Sequence, residues 1–138
     1  MEQSGEIRGF LSSLIGTFGT ARMGPAIAEA VAAEPGGLMV GTDPAEWWDD
    51  PDDLRRAMQA QSKELEGAAA TVRHAEGWVQ GEVGWGAVQA DVAFPDGSAA
   101  MMRITATLAR RPGGWKIVQC HASVGAANEQ VIGKELTV

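Results

Sequence analysis

The chain has 138 residues, a length suited to one domain that buries roughly two thirds of the surface its extended form exposes. Asp and Glu outnumber Lys and Arg by 18 to 11, and the formal net charge of -7 argues against a nucleic-acid groove or an anionic membrane surface as partner. Cys120 stands alone, so neither an internal disulfide nor a cysteine-based zinc cluster can form within the chain. With no basic-then-apolar leader in MEQSGEIRGF and no apolar run near the ~20 residues that span a bilayer, a cytoplasmic location is expected.

Residues 6–34 are rich in Ala, Leu and Ile, and Ile7, Phe10, Leu11 and Leu14 recur at helical spacing. Gly16, Gly19 and Gly24 interrupt this run, while Pro25 suits the first turn of a new helix, so two helices are predicted near 4–15 and 25–33. Pro35-Gly36-Gly37 ends the second, and LMVGT reads as a short strand finishing at Thr42. Asp43-Pro44 predicts a turn, with Asp43 capping a short helical segment that carries Glu46, Trp47 and Trp48. Asp50-Pro51 repeats the device before DDLRRAMQAQSKELE. There Leu54, Met58 and Leu65 share a side, with acids at the start and Lys63 near the end, as a helix dipole favours.

After Gly67 the period becomes that of strands. Residues 69–80, 82–93, 99–110 and 115–124 are predicted strands, separated by turns at Gly81, Pro95-Asp96-Gly97 and Pro112-Gly113-Gly114. Helices followed by one antiparallel meander define an α+β domain over residues 1–138, its helices covering one face of a sheet. Strict alternation puts Trp115, Ile117, Gln119, His121 and Ser123 on one side of the last strand, with Arg103 and Thr105 sharing a side of the strand before it. That mixed face suits the wall of a ligand cavity with a few convergent polar groups. Alternation also separates Cys120 from His121, which argues against a Cys–His nucleophile pair.

The runs WKIVQCHASVG, GTDPAEWW, GWV and RITATLARR, in that setting, resemble the SnoaL-like branch of the nuclear-transport-factor-2-like (NTF2-like) superfamily. The resemblance implies a cone-shaped domain, its N-terminal helices packed on a strongly curved antiparallel β-sheet with a pocket at the open end, and a homodimer formed through the sheet. By the same resemblance, Trp115, Gln119, His121 and Ser123 match a last-strand pattern in which the histidine and an upstream strand arginine, here Arg103, approach the cavity. Thr42, Asp43, Pro44, Glu46 and Trp47 match a segment near its mouth. The paired aspartates of steroid isomerases and the Asp-Arg-Asp set of limonene-type epoxide hydrolases have no counterpart in this sequence.

The catalytic candidates are therefore His121 as a proton carrier, Arg103 as a partner for an anionic oxygen, and Asp43 as a carboxylate, with Glu46 and Asp91 as further acids. For His121 the competing reading is a hydrogen-bonded wall or core residue. Trp47, Trp78, Trp85, Thr105, Gln119 and Ser123 are the candidate ligand contacts, the tryptophans having core and dimer interface as their alternative. His74 and His121 lack a carboxylate at ligand spacing, so neither a metal nor a cofactor is expected. Three functions stay open: a domain binding an apolar small molecule; an isomerase, cyclase or hydrolase acting on an apolar carbonyl-containing substrate; and a noncatalytic homodimerisation domain.

Overall fold

A computed structural model describes residues 1–138. A two-residue strand β1 (Glu2–Gln3) precedes helix α1 (Gly5–Gly16), which starts where the Ser4 hydroxyl accepts the Ile7 N–H at 3.1 Å. Helix α2 (Met23–Ala30) follows, then β2 (Leu38–Val40) and β3 (Trp47–Trp48). The helical turn predicted around Glu46 is instead a tight turn, with the Glu46 N–H donating to the Asp43 carbonyl at 2.9 Å and the chain entering β3 directly. Helix α3 (Pro51–Glu64) begins as predicted: Asp50 Oδ1 accepts the N–H groups of Asp52 and Asp53 at 2.8 and 3.0 Å, and Pro51 occupies the first turn.

The meander runs through β4 (Ala69–Gln80), β5 (Val83–Ala93), β6 (Ala99–Arg111) and β7 (Gly114–Val124), each strand antiparallel to the one before it. The expectation of a strongly curved, wholly antiparallel sheet forming a cone is corrected by the pairing of the short strands. The sheet is open and mixed, ordered β1-β4-β5-β6-β7-β2-β3, and β2 lies parallel to β7 with Met39 opposite Cys120. Its two ends are the two-residue strands β1 and β3, so it neither closes on itself nor bends into a cone. A three-residue apolar run such as LMV carries no mark of its partner or direction, which is why alternation and turn chemistry missed this extension.

The helices cover one face. Alternation along β5 buries Gly84, Gly86, Val88, Ala90 and Val92 while Val83 and Trp85 are exposed. Ile7 and Leu11 of α1 reach that inner face through three strand glycines. A Cβ on Gly86 would stand 2.5 Å from Leu11 Cδ1, and one on Gly77 would stand 2.6 Å from the backbone nitrogen of Arg8. The helix therefore lies closer to the sheet than any side chain at these positions would permit. Leu108, Ile117, Trp115 and Met58 complete one core with them, and the Arg110 guanidinium sits 4.3 Å from the Trp115 ring centre.

The segment after β7 forms a short helix, α4 (Asn128–Ile132), whose Val131 and Ile132 are exposed, as is Leu136 beyond it. No helix is long and apolar enough to cross a membrane.

Candidate ligand cavity

Beyond the part of the sheet that α1 touches, α2 and α3 stand further off and leave a cavity of about 400 Å³. Its floor is the inner face of the sheet, including Val88, Met102, Ile104, Ile117, Cys120 and Ala122. Leu14 and Ile15 from α1, Met23 and Ile27 from α2, and Leu54 and Met58 from α3 form the opposite wall. A volume in the ~300–1,000 Å³ range and a largely apolar lining are the usual properties of a small-molecule site.

Of the 27 lining residues 22 are hydrophobic, and the remaining five are Gly41, Thr42, Glu46, Gln61 and Glu64. These five form one patch. Glu46 Oε1 accepts the Asp43 N–H at 2.8 Å and the Thr42 hydroxyl at 3.4 Å, while Glu46 Oε2 accepts the Gln61 side-chain amide at 2.9 Å. Gln61 and Glu64 lie one turn apart on α3. Gly41 makes the arrangement possible, because a Cβ there would stand 2.7 Å from Glu46 Cδ and Oε2. Thr42 and Glu64 are exposed and Glu46 and Gln61 half-buried, so the patch marks where the cavity meets solvent.

Of the eleven candidate residues named from sequence, Glu46 lines the cavity and the other ten lie outside the lining. Asp43 is exposed and turns its carboxylate back to the Ala45 N–H at 2.8 Å, serving the loop that positions Glu46. Trp47 is 62% exposed, whereas its neighbour Trp48 lines the cavity. His121 and Arg103 do share a face with Thr105, Gln119 and Ser123, but it is the outer face of the sheet: Thr105 pairs with His121, Arg103 pairs with Ser123, and both His121 and Arg103 are exposed. Trp78 and Trp85 stack on that same outer face with ring centres 5.8 Å apart.

The physical reason is one extra residue in β7. Thr107 pairs with Gln119 and Leu108 with Ile117, so Val118 is bulged out and the alternation changes phase there. Trp115 and Ile117 accordingly face the core together with Cys120 and Ala122, and Gln119, His121 and Ser123 face away. Cys120 stays opposite to His121, as alternation predicts for that pair. Burial pushes the Cys120 thiol up to about 11, which leaves it neutral and poorly nucleophilic.

Residues 23–127 match the SnoaL-like domain family, and the chain belongs to that family. No curated protein matches it. Among solved structures it is similar to an NTF2-like protein of unknown function from Pseudomonas putida, at 16% identity and a TM-score of 0.76 over 95% of this chain and 91% of that one. A protein of unknown function with a cystatin-like fold from Nostoc punctiforme gives a TM-score of 0.72 at 12% identity, covering 91% and 96% of the two chains. An NTF2-like protein from Novosphingobium aromaticivorans gives 0.69 at 17% identity, covering 94% and 87%. At these identities the likeness is one of fold.

Proposed function

We propose that this SnoaL-like domain binds an apolar small molecule between its helices and the inner face of its sheet. The observation that supports the reading is the segregation of the lining: a largely hydrophobic chamber of about 400 Å³ whose five other residues are gathered at one mouth. Such a site takes an apolar body inside and leaves one polar group at the opening. Binding ranks ahead of an isomerase, cyclase or hydrolase activity because the lining contains no Arg, Lys or His to meet charge developing on a carbonyl oxygen. The cytoplasmic location expected from the sequence belongs to this reading.

The test is calorimetric titration with naphthalene of the wild type and of Ala122→Phe, a substitution that places a ring in the chamber. Saturable binding by the wild type and its loss in a folded Ala122→Phe support the reading; equal binding by both contradicts it.

A second reading concerns the opposite side of the sheet. The stacked Trp78 and Trp85, with Trp85 39% exposed opposite Thr107 on the face that also carries Thr105 and His121, favour a homodimer formed through this outer face. His121 and Arg103 would then serve recognition between copies. Sedimentation of the wild type as a dimer and of Trp85→Lys as a monomer is the expected result, and a wild-type monomer at micromolar concentration contradicts it.

A further inference from the structure

Resting on the binding reading above, we infer that the cavity selects apolar molecules that present a hydrogen-bond donor at its mouth, an alcohol and above all a protonated amine, and rejects those that present a carboxylate. Both charged residues of the lining, Glu46 and Glu64, are acids, and they belong to the single polar patch. A ligand whose apolar body fills the chamber must therefore place its polar group beside these carboxylates or leave that group unpaired in the apolar part.

The hydrogen bonding of Glu46 sets the sign of the preference. Its Oε1 already accepts from the Asp43 N–H and the Thr42 hydroxyl, which uses both acceptor positions of that oxygen. Its Oε2 accepts once, from Gln61, and keeps a second acceptor position for a ligand donor. These contacts fix the carboxylate before a ligand arrives, so a donor loses little freedom in meeting it. An ammonium adds charge attraction to the hydrogen bond, whereas a carboxylate in the same place meets like charge in a partly desolvated setting. The net charge of -7 acts in the same direction on approach of the ligand.

The experiment is isothermal titration of the full chain with four compounds sharing one aromatic body: naphthalene, naphthylmethanol, naphthylmethylamine and naphthoate. The amine should bind at least about tenfold more tightly than naphthoate, with the alcohol between them. In a folded Glu46→Gln the amine advantage over naphthoate, read as the ratio of the two affinities in the same variant, should shrink at least about threefold. Naphthalene binding with naphthoate equal to or tighter than the amine overturns the inference and leaves the binding reading standing. No binding by any of the four removes both. The wild-type ranking decides the matter even if Glu46→Gln does not fold, and an unchanged ranking in a folded Glu46→Gln overturns the role given to Glu46.

Discussion

Gln61 of α3 donates its side-chain amide to Glu46 Oε2 across 2.9 Å, joining the turn between β2 and β3 to the last turns of a helix 15 residues away in sequence. Together with the Asp43 N–H, this contact holds the Glu46 carboxylate at the cavity mouth. Gln61→Leu is expected to lower stability by about 1 kcal/mol, the usual net value of one such bond. Because Glu46 is the partner that loses it, the effects of Gln61→Leu and Glu46→Ala should be less than additive. Urea unfolding of both single variants and the double variant checks this; additivity would show that the contact contributes nothing.

Two glycines of the α1 region predict stability changes of opposite sign. Gly77→Ala would set a Cβ 2.6 Å from the Arg8 backbone nitrogen and 2.8 Å from the Ser4 carbonyl oxygen, neither of which can move without shifting the helix. A loss of about 1–3 kcal/mol is expected. Gly9 is exposed inside α1 with nothing within 4 Å of an added Cβ, so Gly9→Ala should gain about 0.5–1 kcal/mol. Thermal unfolding midpoints of the two variants, on either side of the wild type, are the check.

Acid should destabilise the fold through three carboxylates. The N–H groups of Asp53 and Asp52 hold Asp50 below the usual range, a backbone hydrogen bond and Arg111 do so for Glu34, and the Ser98 hydroxyl and N–H do so for Asp96. A folded-state value below the unfolded one means that the stabilisation is complete above about pH 4 to 5, and is lost as pH falls through the folded values. Unfolding midpoints should therefore fall as the solution is made acid. Asp50→Asn, which keeps a side-chain cap, should flatten part of that fall; an acid slope identical to the wild type would contradict the assignment.

Cys120 lines the cavity, and its neutral thiol should react slowly with iodoacetamide near pH 7.5 compared with the same chain in urea. Saturating naphthalene should slow it further. Mass spectrometry of the time course follows both effects, and a native rate equal to the unfolded rate would contradict the placement of this side chain.

The parts of the fold that were legible in the sequence are those set by local chemistry. The Asp50-Pro51 cap with its acidic first turn marks α3, and the turns at Gly81, Gly97 and Gly113 bound four strands close to their observed limits. The site was less legible because its placement depends on partners distant in sequence. Val118 carries no residue-level sign that it bulges, yet that single insertion turns His121 away from the face that Trp115 and Ile117 occupy. Between Trp47 and Trp48 nothing local decides which one faces inward; the register of β3 on β2 decides it. Glu46 was legible as an acid in the segment near the mouth, but its distinguishing contact, with Gln61 on another element, had no local sign. The signals that did exist were Gly41, which leaves room for the Glu46 carboxylate, and the strand glycines Gly77, Gly84 and Gly86, which mark the close approach of α1.

The most direct test of ligand binding in the cavity uses the methionines as internal reporters. Met23, Met39, Met58 and Met102 line it, and Met1 and Met101, the other two of six, do not. In a titration of methyl-labelled protein with naphthalene followed by NMR, the four cavity methyl signals should shift together along one saturable curve while those of Met1 and Met101 stay in place. Saturable shifts confined to Met1 and Met101, or no shift at any of the six, would contradict the account.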